Sequence, residues 1–304
     1  MSKTRDESME SLQNQYRAHL TGSKADNTVA TSSSDAFYLW RHVGEAAFWK
    51  VIRSKNFAAD AKAYVGAAQE VFSKAGEKKS NVSGYVSHLK SIKDFIEEKH
   101  ISPKEQLPVP TPSEKQVDFY LALWRHLDSY KYQEAALKKL FIDLCPNNID
   151  IEDILIKASA LNDFYSTNIY SIYPVAAHIK EKQIDGLLQE GKRSLIDAIR
   201  RVTVGEKKRD YYSFATKYCS HHKPEVYPIY DSYVDRVLRY FRDKKFISNF
   251  ATDDLKNYEI FCKTLEEFMD KCQFKKEYSL KQIDQYLWQL GKDCFPKNYK
   301  KAKA

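Results

Sequence analysis

Apolar residues recur at helical spacing over most of this chain, and the recurrence breaks at places that divide it into four stretches. Residues 1–34 are polar and end in TGSKADNTVATSSSD. They offer too little apolar surface to offset the entropy of ordering, so a flexible tail is expected. From Asp35, an expected N-cap, the residues Phe37, Trp40, Gly44, Phe48 and Val51 share one helical face. A second periodic run covers 58–74. After the breaker GEKKSN a third puts Val82, Tyr85, Val86, Leu89, Ile92 and Ile96 on one stripe. Residues 35–100 therefore read as a small helical bundle with Arg41, His88, Lys90 and Lys93 on its polar face. Segment 101–115, ISPKEQLPVPTPSEK, holds Pro103, Pro108, Pro110 and Pro112 and reads as an extended linker that marks a domain boundary.

From 116 to 304 helical runs follow one another with short connections: Val117 to Leu127, Leu137 to Leu144, Ile151 to Leu161, 161–179, and Leu195 to Val202. Two more close the chain, marked by Leu255 to Phe268 and by Leu280 to Leu290, with Asp253 and Ser279 as expected caps and Gly291 as an expected stop. No sustained strand alternation and no internal repeat is present in the sequence. The predicted class is all-α, a small bundle joined by a Pro-rich linker to a larger helical domain.

Between the fifth and sixth of these runs lies the densest stretch, YYSFATKYCSHHKPEVYPIYDSYVDRVLRY at 211–240. Phe214, Ala215, Tyr218 and His222 keep helical spacing, two prolines then forbid a continuous helix, and Val234, Val237, Leu238 and Phe241 resume it. A helix, a Pro-bounded turn and a second helix follow, with Asp231 at the start of the second. There the backbone N–H groups are unpaired and the helix dipole is positive, with Lys217, Lys223, Arg236 and Arg239 nearby in sequence. Capping alone accounts for an aspartate at such a place and is worth about 1 kcal/mol; a cap position also leaves the carboxylate accessible, so the two roles are compatible.

Composition adds a little. With 304 residues and 43% hydrophobic content the chain can build real cores, and 9 glycines with 9 prolines suit helices better than a turn-rich β fold. The formal charge is +8. From Lys192 to Lys245 fourteen Lys and Arg stand against seven Asp and Glu, so most of the excess sits around Asp231. Phosphate contacts are one use of such a concentration. Five cysteines without CxxC spacing suggest neither disulfides nor a zinc knuckle, and a reducing cytoplasm fits. Cys219, His221 and His222 cannot all face one ion from a helix, and packing is the plainer role. The 21 tyrosines fall mostly at apolar helical positions and read as core. No cofactor, no membrane span and no export signal are expected.

Two resemblances extend this reading. The segments T-x-x-T-x-x-SDAFYLW and VSGYVSHLKSIKDFI, within 28–98, resemble the core-binding domain of tyrosine recombinases, which implies a helical clamp on duplex DNA. Over 155–242 the order of elements resembles the helix-hairpin-helix (HhH-GPD) base-excision DNA glycosylases. YSTNI at 165–169 stands near that family's first motif, TVGEK at 203–207 near its hairpin, and PIYDSYVDRV at 228–237 resembles its aspartate turn.

The second resemblance implies that Asp231 stabilises oxocarbenium character while the bond to an extruded base breaks. It further implies Lys207 as the nucleophilic lysine and Asn168 as the side chain entering the gap in the duplex. Departures are visible: Thr203 replaces the first hairpin glycine, and Lys207 and Asp231 are widely spaced. An alternative alignment of SFATKY puts Ser213 in the lysine's place, which would make a monofunctional enzyme or a non-catalytic relative. No Cys-rich iron–sulfur loop follows.

The expected partner is double-stranded DNA, through Lys208, Arg209, Lys217, Lys223, Arg236 and Arg239 together with Asn168. The leading expectation is a DNA-binding, glycosylase-like protein that hydrolyses the N-glycosidic bond of a damaged or modified base. A catalytically inactive sensor or adaptor in repair or defence, and a helical interaction protein, are the alternatives.

Overall fold

A computed structural model of the chain describes residues 2–21, 25–73, 82–104 and 106–296. The described residues are all-α in class, with one short two-stranded ribbon among them. The predicted breaker GEKKSN, at 76–81, lies outside the described residues. No helix among the described residues is long and apolar enough to cross a membrane. Two compact units form, Met1–Leu127 with Lys292–Ala304, and Asp128–Gly291.

The first unit contains α1 (Ser2–Thr21), α2 (Asp26–Asp35), α3 (Tyr38–His42), α4 (Glu45–Ile52), α5 (Phe57–Phe72), α6 (Val82–Glu98) and α7 (Glu114–His126). The stretch expected as a flexible tail contains two helices, Ser2–Thr21 and Asp26–Asp35. Leu12, Tyr16 and Leu20, four residues apart, form one buried stripe, and the Tyr16 ring lies 5.4 Å from Phe95 of α6. Asp35 ends α2 instead of capping the next helix, and its carboxylate pairs with His88 at 3.1 Å. The predicted first bundle helix is two helices because Gly44, at φ 138°, takes a backbone conformation that residues with a Cβ rarely adopt.

The Pro-rich stretch is extended yet packed, with Leu107, Val109 and Pro110 buried. Ser113 caps α7, which lies against α5, and the Gln116 side chain donates to the Val43 carbonyl at 2.7 Å. The units therefore divide at Leu127, not within the expected linker at 101–115. Also in this unit, the hydroxyls of Tyr64 and Tyr120 donate to the buried Asp293 carboxylate at 2.6 and 3.1 Å.

The second unit runs through α8 (Asp128–Lys138), a wider π turn (Lys139–Leu144), α9 (Ile151–Tyr165), α10 (Ile172–Glu181), α11 (Asp185–Glu190) and α12 (Leu195–Arg200). Strands β1 (Arg201–Val204) and β2 (Lys207–Asp210) then pair antiparallel, Arg201 opposite Asp210 and Val204 opposite Lys207. Gly205, at φ 60°, opens the two-residue turn between them. TVGEK is thus the turn of a β-ribbon and not a hairpin between helices. Next come α13 (Tyr212–His222), α14 (Ser232–Asp243), a 3-10 turn (Asp254–Lys256), α15 (Tyr258–Cys272) and α16 (Leu280–Cys294). Asn257, not Asp253, caps α15, accepting from the N–H groups of Glu259 and Ile260. Ser279 does cap α16, accepting from Gln282 N–H while the Gln282 side chain accepts from Ser279 N–H.

Helix α13 is the axis of this unit. Every residue from Phe214 to His221 is buried, the condition of a helix surrounded by protein. Gly291 does not end α16, which continues to Cys294; it lets α16 approach the first turn of α14. A Cβ at Gly291 would lie 2.7 Å from Tyr233 Cβ and 2.9 Å from the Tyr233 carbonyl oxygen. Gly291→Ala is therefore expected to destabilise the protein by about 1–3 kcal/mol in urea unfolding; an unchanged midpoint would show that the helices are not in close contact there.

Candidate functional site

The turn between α13 and α14 is tied down residue by residue. The Tyr227 hydroxyl donates to the carbonyls of Leu187 and Lys192 at 3.3 and 3.2 Å. The Pro228 carbonyl accepts from Tyr258 OH at 2.9 Å, and Ile229 N–H donates to Asp284 Oδ2 at 2.8 Å. Tyr230 N–H donates to Thr216 Oγ1 at 3.2 Å, and the Tyr230 carbonyl accepts from Ser213 Oγ at 3.0 Å. These contacts deliver Asp231 to the N-cap of α14, where Oδ1 accepts from Tyr233 N–H at 2.9 Å. Its other oxygen, Oδ2, faces Lys217 Nζ at 3.3 Å.

Lys217 comes from the buried axis and its side chain is only 2% exposed, against 20% for Asp231. The same ammonium meets Ser213 Oγ one helical turn earlier and lies 5.3 Å from the centre of the Tyr165 ring. The Tyr165 hydroxyl and His221 Nε2 are 3.0 Å apart. Burial holds His221 neutral, well below the usual histidine range, and raises the Tyr165 phenol well above its own. Asp284, which fixes Ile229, is buried too, and burial pushes its carboxyl up to about 7. The result is a half-buried carboxylate, fixed in position, with a dry cationic partner behind it.

A second polar centre lies on the same unit. Lys157 of α9 is fully buried and donates to the carbonyls of Cys145 and Asn147 at 3.0 and 2.8 Å, and to Asn148 Oδ1 at 2.8 Å. Asn148 in turn donates to Asp185 through its backbone and side chain at 2.8 and 2.6 Å. His222 Nε2 lies 3.4 Å from Lys157 Nζ, and burial takes the imidazole down to about 3, leaving an acceptor. Burial draws Lys157 itself down to about 8. All of these contacts bind the 145–148 turn to its neighbours, and the lysine has no open side.

The predicted residues therefore separate. Asp231 and Lys217 are brought together, although Lys217 was expected on phosphates. Lys223 donates to the Gln189 carbonyl at 2.7 Å, and Arg239 pairs with Asp235 and the Thr252 carbonyl. Arg236 is exposed on α14. Asn168, exposed at φ 59°, sits in a loop that the Asn162 side chain holds through Thr167 and Ile169. Lys207, Lys208 and Arg209 lie side by side on the exposed strand β2. Ser213, the alternative to Lys207, is half-buried and bonded to the turn.

Cys219 is buried without a charged neighbour, and His221 and His222 point into separate networks; among the described residues no group of three metal-ligating side chains is assembled. The sequence signal missed was a lysine on an apolar helix face. Lys217 has one, and so does Lys157 among Ile154, Ala158 and Leu161.

The N-terminal domain family HI_0787_N matches residues 116–226. An "Uncharacterized protein" of Haemophilus influenzae is 46% identical over 149 residues, which cover 49% of this chain and 71% of that relative. The chain belongs to this family. The HI_0787_N match takes in Lys157, Tyr165, Lys217 and His221 and stops short of Asp231. No solved structure matches the chain.

Asp284 gives this site a pH signature. Its carboxyl titrates near 3.8 when unfolded and near 7 when folded, so between these values the native state holds the extra proton. Its contribution to stability is complete below about pH 4 and is lost as pH rises through 7. Asp284→Asn keeps an acceptor for Ile229 N–H and removes the titration. In urea unfolding from pH 4 to 8 the variant should gain on the wild type as pH rises; parallel profiles would contradict the assignment.

Proposed function

We propose that the second unit binds duplex DNA and hydrolyses the N-glycosidic bond of a damaged or modified base swung out of the stack, with Asp231 as the acting carboxylate. The observation that carries this reading is the Asp231–Lys217 pair at the start of α14: a carboxylate that is partly open and held by two independent contacts, one of them a buried ammonium. A deoxyribose that loses its base develops positive charge at C1′, and a fixed negative charge in a partly dry place stabilises that transition state. The base leaves with the bonding electron pair, water adds to C1′, and the proton that water loses passes to Asp231. Lys217, at 2% exposure, is too enclosed to attack C1′ and serves as a positioning residue, which favours hydrolysis over a lysine-linked intermediate.

The test is base release from a panel of lesion-bearing and modified-base duplexes. Asp231→Asn keeps the capping acceptor but removes the counter-charge of buried Lys217, so it should lower release by roughly 10²-fold or more and also lower thermal stability; release is compared at a temperature where circular dichroism shows both proteins folded. Equal release by both proteins would remove Asp231 from the chemistry. Duplex binding without release by the wild type would mark the protein as a non-catalytic binder, the adaptor alternative.

A further inference from the structure

The ribbon β1–β2 carries a charge pattern that the Asp231 site does not use. Arg201, Lys207, Lys208 and Arg209 are exposed, and none of their side chains makes a hydrogen bond or ion pair with a described residue. Several arginines of the same unit are engaged: Arg193 with Glu259 and Glu266, Arg200 with Asp197 and Asp210, Arg239 with Asp235, and Arg242 with Asp243. Asp210, the acid at the end of β2, is taken up by Arg200 through contacts of 2.8 and 2.7 Å. That leaves Glu206, in the turn, as the one uncommitted acid among four uncommitted bases on the ribbon.

The ribbon is also anchored. Val202 is buried, β1 lies against α10, and the Arg200 guanidinium at the ribbon's base stacks 4.0 Å from the Tyr212 ring while donating to the Lys256 carbonyl. The pairing register puts Lys207 and Arg209 on the face of Val202 and Val204, and Arg201 and Lys208 on the other. Basic residues on an edge strand serve to block strand addition. One or two charges of either sign do that, however, whereas here four of one sign stand unpaired beside a single uncommitted acid, Glu206.

We propose that the ribbon 201–210 is an arm that docks on the phosphates of a DNA duplex through Arg201, Lys207, Lys208 and Arg209. This rests on the reading of the second unit as a duplex-binding domain, and reassigns Lys207 from chemistry to phosphate contact. A two-stranded ribbon fits a major groove about 12 Å wide. A lipid surface is the poorer fit, because the ribbon's tip is Gly205 and Glu206 and offers no apolar side chain to insert.

The test measures binding of the full chain to a labelled duplex by fluorescence anisotropy between 50 and 300 mM salt (about 0.05–0.3 M). The Lys207→Gln, Lys208→Gln, Arg209→Gln triple variant should bind roughly 10²-fold more weakly at 0.1 M salt, with a salt slope shallower by about 2 to 3. Arg201→Gln alone should lower the slope by about 1. A control triple, Lys138→Gln, Lys139→Gln and Lys180→Gln, removes the same charge from exposed positions of the same unit and should leave the slope unchanged.

An unchanged slope in the ribbon triple overturns the proposal. So does an equal loss in the control, a loss confined to phosphatidylserine vesicles, or a wild type that binds no duplex. Circular dichroism melts check that each variant folds. Weakened binding by the ribbon variants with no base released by the wild type keeps the arm and removes the excision reading. Base release with an unchanged slope does the reverse.

Discussion

Lys217 is charged and sits in a helix with no solvated face, and the geometry around the α13–α14 turn follows from giving that charge a partner. Removing an ammonium from water costs several kcal/mol unless an opposite charge and hydrogen bonds compensate. The compensation is Asp231, Ser213 and the face of Tyr165. Asp231 can supply it only if the turn before α14 is fixed, and this explains why each residue from 227 to 231 is bonded from a different element. Tyr258 and Asp284 hold the turn from α15 and α16, and Thr216 and Ser213 hold it from α13.

Such a network is a weak source of stability, since buried ionic groups are often matched by well-packed apolar ones. Its cost is visible at Asp284, whose Oδ1 has no hydrogen-bond partner among the described residues and whose carboxyl is held half-titrated at neutral pH. Strongly shifted groups gather at functional sites as well as at structural ones, so shift alone does not separate the two polar centres. Exposure does. Lys157 is fully buried and its donors are directed at three oxygen atoms of the 145–148 turn, an arrangement complete in itself. The Asp231 carboxylate keeps a fifth of its surface open at a helix start, where an outside group can reach it.

The sequence made the helices legible wherever apolar residues kept their period, and the turn before Asp231 legible because two prolines interrupt that period. The N-terminal helix was hidden because three apolar residues, Leu12, Tyr16 and Leu20, suffice to seat it while the polar majority sets the average. The ribbon was hidden because RVTV and KKRD are four residues each, too short for alternation to register. The boundary moved because prolines that make a stretch extended do not stop it from packing, as Val109 and Pro110 do. Asp231 was found from its place at a helix start; its partner was not, since fourteen residues and a turn separate Lys217 from it and only the folded path brings them to 3.3 Å.

Charge shows the same difference between count and placement. Read along the chain, 192–245 is a basic region in which every lysine and arginine has equal standing. In the folded protein Lys217 lies behind a carboxylate, Lys223 caps the Gln189 carbonyl, and Arg239 closes on Asp235 and the Thr252 carbonyl. A cation already paired inside the protein must break that pair to meet a phosphate, and gains little from the exchange. An unpaired exposed cation loses only its counterions. The excess charge of the region thus says less about a polyanionic partner than does the placement of the cations left without an internal acid, four of which stand together on the ribbon.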